Sequence, residues 1–128
     1  MRMLLDAHTF LWFITGSSRL SDYPLSLIED TNNTKWLSIV SLWEIAIKLK
    51  LGKINLDDPF STLLDDQVRR NGFGLLPIEF AHLVTISELP LHHRDPFDRL
   101  IIAQSITEQM PIVSIDMAFD AYGITRLW

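Results

Sequence analysis

The sequence contains no cysteine, which excludes a disulfide framework and a thiolate metal site. The lack of cysteine is typical of a cytoplasmic protein, and we expect that location. Long apolar runs are also missing, since none approaches the roughly 18 residues of a membrane-spanning helix. Near the N-terminus, Asp6 and His8 interrupt the apolar residues, and no small-residue cleavage site follows. We therefore expect neither a membrane association nor a signal peptide.

Basic residues are fewer than acidic ones, 11 against 16, which gives a formal net charge of −5. A protein that binds nucleic acid through its overall charge is usually basic. Any nucleic-acid role must therefore depend on a local site, such as one in which metal ions bridge the protein to phosphate. No linker or repeat divides the 128 residues, of which 48% are hydrophobic. This length and composition predict a single domain over residues 1–128.

Short apolar strands without alternation are separated by helical segments, which predicts a parallel sheet covered on both faces. The expected fold class is α/β, a three-layer α/β/α sandwich with a mainly parallel sheet of four to five strands. Ser41 is the predicted N-cap of the third helix, and Gly52 is its predicted C′ residue. Strands are predicted at 1–5, 35–40, 73–78, 111–115 and 124–128, and helices at 7–15, 24–30, 42–51, 57–70, 79–89 and from 96.

Four acidic residues follow strands or begin a helix at what should be one edge of this sheet. Asp6 follows the first strand, Glu44 the second and Asp116 the fourth, and Asp98 lies at the start of the last long helix. In open α/β sheets, ligands bind outside the carboxyl ends of the strands. The topology therefore predicts that these four carboxylates converge on one site.

Local roles would also explain some of these acids. Glu44 fits a capping box with Ser41, or a helical ion pair with Lys48 four residues later. Asp6 lies between two apolar runs, where the following helix N-terminus is the one local source of hydrogen-bond donors. A buried carboxylate there requires hydrogen-bond donors or a cation.

The remaining acids also have structural alternatives. Asp95 before Pro96 is a strong N-cap signal, Asp98 would benefit from the helix dipole, and Asp116 fits the cap of a short turn. If the acids share a site, their mutual repulsion requires a cation, and hard oxygen ligands select Mg²⁺ or Mn²⁺. Such an ion suits phosphate chemistry, because it polarises a phosphoryl oxygen and activates water.

Four segments, in this order and spacing, resemble the PIN domain, and specifically the VapC-type toxin ribonucleases of prokaryotic toxin–antitoxin pairs. They are "LLDAHTFLW", "SIVSLWEIAIK", "HHRDPFDRLIIAQ" and "IVSID", and the similarity extends over essentially the whole chain. The resemblance implies a metal-dependent endoribonuclease with Mg²⁺ or Mn²⁺ bound by three or four acids. The positions that match are Asp6, Glu44, Asp98 and Asp116.

In the role that this resemblance implies, Asp6 and Asp98 bind the principal metal directly. Glu44 and Asp116 act directly or through water. Many relatives carry a small hydroxylated residue after the first Asp, but this chain has Ala7 there. Thr9 or Ser114 is the candidate for the supporting hydroxyl.

Basic residues near these motifs are candidates for RNA contacts, since guanidinium groups match phosphate oxygens. For the arginines the alternative is a surface ion pair with Asp95 or Asp98, and for the histidines an ordinary loop position. The candidates are Arg94, Arg99, His92 and His93, with a basic rim at Lys48, Lys50 and Lys53.

The resemblance also implies a homodimer and a VapB-like antitoxin partner whose segment covers the site. Apolar residues around Trp12, Trp43 and Leu49 are candidates for a groove that accepts another chain. Two alternative functions stay open, a catalytically inactive PIN-fold interaction module and a Mg²⁺-dependent phosphoacceptor domain. The second usually requires a lysine after a late strand, and no lysine follows Lys53.

Overall fold

Five parallel strands form a central sheet in the computed structural model, which describes residues 1–128. Their order across the sheet is β3-β2-β1-β4-β5, so the first strand is the central one. All four pairings are parallel, and the register places Leu5 of β1 opposite Leu37 of β2 and Val113 of β4. The strands are β1 (Arg2–Leu5), β2 (Thr34–Ser38), β3 (Gly74–Leu76), β4 (Ile112–Val113) and β5 (Arg126–Leu127).

Five α-helices connect the strands and begin or end at residues with suitable capping chemistry. The helix α1 ends at Gly16, whose φ of 65° is in the left-handed region that favours glycine. Pro96 occupies the first turn of α5, where its missing N–H costs no hydrogen bond. The helices are α1 (Ala7–Thr15), α2 (Asp22–Glu29), α3 (Ile39–Lys50), α4 (Phe80–Glu88) and α5 (Pro96–Glu108).

The core consists of two apolar layers, one on each face of the sheet. Met3 and Leu5 of β1 point to the layer that contains Phe10 of α1 and Ile45 of α3. Leu4 points to the opposite layer, which includes residues of α5. Because side chains alternate along a strand, this division confirms the predicted three-layer α/β arrangement.

The predicted start of α3 is wrong. Ser38, not Ser41, is the N-cap, and its Oγ accepts a hydrogen bond from the Val40 N–H at 3.0 Å. Ser41 lies inside the helix, fully buried, and its hydroxyl has no hydrogen-bond partner. The capping box between Ser41 and Glu44 therefore does not form. The second strand ends at Ser38, two residues before the predicted end, because the serine hydroxyl closest to the strand starts the helix.

The predicted helix over 57–70 is also different in the structure. It consists of a 3₁₀ turn at Phe60–Thr62 and a π-helical segment at Leu64–Arg69. The last two strands are shorter than predicted because only two residues of each pair in the sheet. The Gly52 prediction is confirmed, since this residue follows α3 with a φ of 71°.

The connections reverse direction at β1. From β1 the chain moves to β2 and then β3 on one side, and it returns to place β4 on the other side. This reversal makes the carboxyl end of β1 a topological switch point, where α/β sheets usually bind ligands. None of the helices has the length and apolarity that crossing a membrane requires.

Candidate metal centre

Asp6 is the first residue after β1 and lies at the switch point. It is the N-cap of α1, and its Oδ1 accepts a hydrogen bond from the Thr9 N–H at 2.8 Å. Its Oδ2 accepts a second hydrogen bond from the Ser114 hydroxyl, at the end of β4. Only 6% of the residue is exposed, so these donors compensate for part of the desolvation of the carboxylate. Of the two predicted supporting hydroxyls, Ser114 contacts the acid, whereas the Thr9 hydroxyl donates to the Val113 carbonyl.

Glu44 lies in the second turn of α3, above the end of β2. It is 7% exposed, and its Oε2 is 2.7 Å from the Lys48 Nζ, so the helical ion pair considered from the sequence is present. Lys48 is therefore a direct partner of one site acid. A second cation at the site would compete with its ammonium group for the Glu44 carboxylate.

Asp98 lies in the first turn of α5, and Asp95 is the N-cap of that helix. The Asp95 Oδ1 accepts hydrogen bonds from the N–H groups of Phe97 and Asp98, at 2.8 and 3.3 Å. The Asp98 carboxylate does not cap the helix, and its Oδ2 lies 3.0 Å from the His93 Nε2. The two acids thus have different surroundings, since Asp95 caps the helix and Asp98 faces the other acids.

The pKa of Asp98 is raised from an ordinary value of 3.8 to about 7. Burial is the largest cause, and the charge of Asp95 is the next. Glu44 and Asp116 also raise this pKa, and His93 opposes them. Burial and the neighbouring negative charges thus disfavour the charged form of Asp98, which a nearby cation would favour.

Asp116 follows β4 and is the exposed member of the group. It is the N-cap of a short 3₁₀ segment, Met117–Tyr122, and its Oδ1 accepts a hydrogen bond from the Ala118 N–H at 2.9 Å. Its own N–H donates to the Ser114 Oγ at 3.0 Å. Ser114 thus links the backbone of Asp116 to the carboxylate of Asp6.

The structure brings all four predicted acids to one cleft at the carboxyl edge of the sheet. The cleft is lined by Asp6, Ala7, His8, Glu44, Lys48, Asp95, Asp98, Ile115 and Asp116. Two of these acids, Asp98 and Asp116, also form a close group with His93, in which one ligand atom of each residue lies within 4.8 Å of the other two. Asp6 and Glu44 are outside this tightest group, although they line the same cleft.

The remaining predicted contact residues have different environments. Arg94 is exposed beside the cleft and forms no ion pair, and His92 stacks on Tyr122 with ring centroids 5.2 Å apart. Arg99 forms neither of the predicted ion pairs. Its guanidinium group donates instead to backbone carbonyls, including those of Pro90 at 2.9 Å and Leu89 at 3.2 Å. This geometry favours a structural role for Arg99 over a phosphate contact.

His93 is the group whose position the sequence did not reveal. It was a candidate RNA contact, yet its ring lies against Asp98. The spacing of the histidines does not predict this contact, because the partner of His93 is a carboxylate five residues later, beyond the start of α5. The Asp95–Pro96 cap is the one sequence signal for this contact, because it places His93 directly before the start of the helix that carries Asp98.

The donor set fits a hard divalent cation. It consists of carboxylate oxygens, with the His93 imidazole next to Asp98, and no thiolate is present. Oxygen-rich sites of this kind select Mg²⁺ or Mn²⁺ over softer ions. Burial and the charges of Asp95, Glu44 and Asp116 all raise the pKa of Asp98, and a bound cation would oppose them.

Trp43 is the one predicted groove residue that is exposed. Its side chain packs edge-on against Phe97 and lines an apolar groove together with Phe60 and residues of α3. Trp12 and Leu49 pack against the core instead. Trp43 of the groove precedes Glu44 of the cleft in α3, so the same helix contributes to both surfaces.

The fold and cleft define an α/β protein with an acidic, cation-attracting centre at its topological switch point. The family model of the PIN domain matches residues 3–124, and the chain belongs to that family. Ribonuclease VapC16 of Mycobacterium tuberculosis is 37% identical over 57 residues, which are 44% of this chain and 40% of that protein. The match thus spans two fifths of the relative's length. The resemblance to VapC-type PIN-domain proteins that the motifs indicate is confirmed.

Solved structures with the same fold extend over nearly the whole chain. The crystal structure of VapBC2 from Rickettsia felis, bound to a DNA fragment from their promoter, aligns with a TM-score of 0.71 and 18% identity. That alignment covers 99% of this chain and 98% of the other. FitAcB from Neisseria gonorrhoeae aligns with a TM-score of 0.64 and 15% identity, over 100% and 97% of the two chains. At these identities the likeness establishes the fold.

Proposed function

We propose that this protein is a divalent-metal-dependent endoribonuclease that hydrolyses RNA phosphodiester bonds and acts as the toxin of a toxin–antitoxin pair. The observation that carries the proposal is the single cleft lined by Asp6, Glu44, Asp98 and Asp116 at the switch point. The similarity to a protein named a ribonuclease and the PIN-domain membership support the same activity.

In this proposal Asp98 and Asp6 hold Mg²⁺ or Mn²⁺ directly, and Glu44 and Asp116 bind directly or through water. The ion, when bound, polarises a phosphoryl oxygen and lowers the pKa of a coordinated water. Asp116, as the most exposed acid, is placed to orient the attacking water at the mouth of the cleft. Ser114 links the carboxylate of Asp6 to the backbone N–H of Asp116 and so holds the two residues near each other.

The charge of the chain agrees with this chemistry. A net charge of −5 disfavours a polyanion in the absence of a cation, and a divalent ion compensates both the acids and the phosphate. Arg94 is exposed and without an ion pair, and we assign it to a substrate phosphate beside the cleft. His92, exposed on the same loop, is the neighbouring candidate for an RNA contact.

The partners of the proposed toxin are an RNA substrate, a VapB-like antitoxin protein and a second copy of the chain. The names of the structural neighbours, VapBC2 and FitAB, support the antitoxin assignment. We assign an antitoxin segment to the apolar groove lined by Trp43, Leu64 and Leu75 among others. From Trp43, the same segment would extend to Glu44 and the other acids.

The proposal is tested by incubating purified protein with RNA in Mn²⁺, in Mg²⁺ and in EDTA. We expect cleavage with either metal and none in EDTA. Asp6→Asn and Asp98→Asn should abolish cutting, whereas Asp65→Asn, which removes an exposed acid far from the cleft in sequence, should retain it. Cutting by either site variant would refute the ligand assignment. Mn²⁺-dependent stabilisation without any RNA cleavage would instead favour the inactive module.

A further inference from the structure

His93 makes a directed contact with one oxygen of Asp98. Its Nε2 lies 3.0 Å from the Asp98 Oδ2, and its side chain is only 19% exposed. The other ring nitrogen, Nδ1, accepts a hydrogen bond from the Asp95 N–H at 3.2 Å. Because Nδ1 accepts, the ring proton lies on Nε2, and His93 donates a hydrogen bond to the Asp98 carboxylate.

The backbone of His93 is itself held in place by two side chains from other segments. Its N–H donates to the Tyr122 hydroxyl at 2.7 Å, and its carbonyl accepts from the Arg99 guanidinium at 3.3 Å. Arg99 also donates to the Tyr122 hydroxyl and binds the loop that precedes His93. Arg99 donates there to three backbone carbonyls, at the end of α4 and in the loop after it, which are those of Ile86, Leu89 and Pro90.

We propose that His93 is a positioning residue for Asp98 and that Arg99 and Tyr122 hold His93 in the donating position. The hydrogen bond occupies Oδ2 of Asp98 and leaves Oδ1 without a protein donor, in a residue that lines the same cleft as Asp116. A ligating carboxylate that is fixed by a hydrogen bond binds its metal more tightly, because less side-chain freedom is lost on binding. This inference rests on the proposed function, since it assigns Asp98 to a divalent cation.

Direct ligation of the ion by His93 is disfavoured by the same hydrogen bonds. A metal requires the lone pair of Nε2, but that nitrogen carries the proton. Moving the proton to Nδ1 would break the hydrogen bond from the Asp95 N–H. Asp95 caps α5, so this change would disturb the helix start that presents Asp98.

The first measurement is the dissociation constant of Mn²⁺, determined by EPR of the free ion, for purified protein without RNA. His93→Leu keeps the apolar bulk but has no donor, and we expect it to weaken Mn²⁺ binding by about 10-fold or more. His93→Gln retains an N–H group close to the position of Nε2 and should stay within about threefold of the wild type. Leu91→Ala removes an exposed apolar side chain from the same loop and should leave the Mn²⁺ affinity unchanged.

The second measurement separates positioning from packing and from ligation. Tyr122→Phe keeps the ring but removes the acceptor of the His93 N–H, and we expect weaker Mn²⁺ binding with the urea midpoint little changed. Pulsed EPR of the Mn²⁺ complex should show no coupling to a directly bound histidine nitrogen. A strong nitrogen coupling that disappears in His93→Leu, or an unchanged Mn²⁺ affinity in that variant, would overturn the proposal.

RNA cleavage distinguishes this inference from the function on which it rests. If the wild type binds Mn²⁺ and His93→Leu weakens that binding, but neither cuts RNA, the positioning role stands and the ribonuclease proposal fails. If the wild type cuts RNA and His93→Leu binds Mn²⁺ equally well, the ribonuclease proposal stands and the positioning role fails.

Discussion

The hydroxyl of Ser114 donates a hydrogen bond to the carboxylate of Asp6, which joins two residues 108 positions apart in the sequence. It also accepts the Asp116 N–H, so one small side chain connects the ends of two neighbouring strands, β1 and β4. Both contacts lie at the point where the strand order reverses. The consequences of removing this link are measurable.

Ser114→Ala should destabilise the protein and weaken metal binding together. A hydrogen bond to a charged group contributes about 1.5–3 kcal/mol, and the variant leaves one oxygen of the buried Asp6 without its donor. The measurements are urea denaturation and Mn²⁺ affinity. Ser105→Ala is the matched control, because the Ser105 hydroxyl is also buried but donates to the Met110 carbonyl, away from the cleft. Equal Mn²⁺ affinities in the two variants would contradict the role of Ser114.

The raised pKa of Asp98 predicts a pH-dependent stability in the absence of metal. Its pKa is about 7 in the folded protein and about 3.9 in an unfolded chain, so the folded state binds more protons between these values. The contribution of Asp98 to the free energy of unfolding is therefore greatest below pH ~4 and is lost as the pH rises to about 7.

The measurement is the difference in unfolding free energy between the wild type and Asp98→Asn, in EDTA, across this pH range. The wild type should lose stability relative to the variant as the pH rises. Mn²⁺ affinity of the wild type should increase over the same range, because protons and metal compete for one carboxylate. Parallel pH profiles for the two proteins would show that Asp98 ionises normally.

Lys48→Met should make the protein without metal less stable and its stabilisation by Mn²⁺ larger. The variant keeps most of the apolar stem but removes the ammonium group 2.7 Å from the buried Glu44. An uncompensated, largely buried carboxylate costs at least about 1 kcal/mol, and a bound cation would compensate for it. Thermal melts with and without Mn²⁺ measure both effects. Lys50→Met, at an exposed position of the same helix, is the control, and a smaller Mn²⁺ shift in Lys48→Met would reject the interpretation.

Gly74→Ala should destabilise the edge of the sheet. A Cβ at this position would lie 2.6 Å from the Trp36 Cε3 on the neighbouring strand β2, too close for a real contact. Forced displacement of the indole ring should cost about 1–3 kcal/mol of unfolding free energy. The double variant with Trp36→Leu should recover part of this cost, since the smaller side chain leaves space. Strict additivity in the double-mutant cycle would exclude the clash.

Helices with strong local signals were predictable from the sequence. The bounds of α1 and the start of α5 agree with the prediction, and the Asp95–Pro96 signal marks the start of α5 in both. The start of α3 was misplaced because two serines, Ser38 and Ser41, both fit a cap. Only the register of β2 against β1 decides which of them ends the strand.

The convergence of the acids followed from topology, whereas their individual partners depended on contacts that no pattern encodes. The ion pair between Lys48 and Glu44 is predictable, because the two residues are four positions apart on one helix. The contacts of Ser114 with Asp6, and of Tyr122 with the His93 backbone, join distant segments. Arg99 was expected at the surface, but the carbonyls of the preceding loop take its guanidinium group.

The central position of β1 has a consequence for the order in which the protein is made. The first strand leaves the ribosome early, but its neighbour β4 and the side chains of Ser114 and Asp116 follow more than a hundred residues later. A nascent or truncated chain that ends before them has Asp6 without its hydroxyl donor and lacks one wall of the cleft. The proposed nuclease would thus stay harmless to the messenger that encodes it until the codons for Ser114 and Asp116 have been translated.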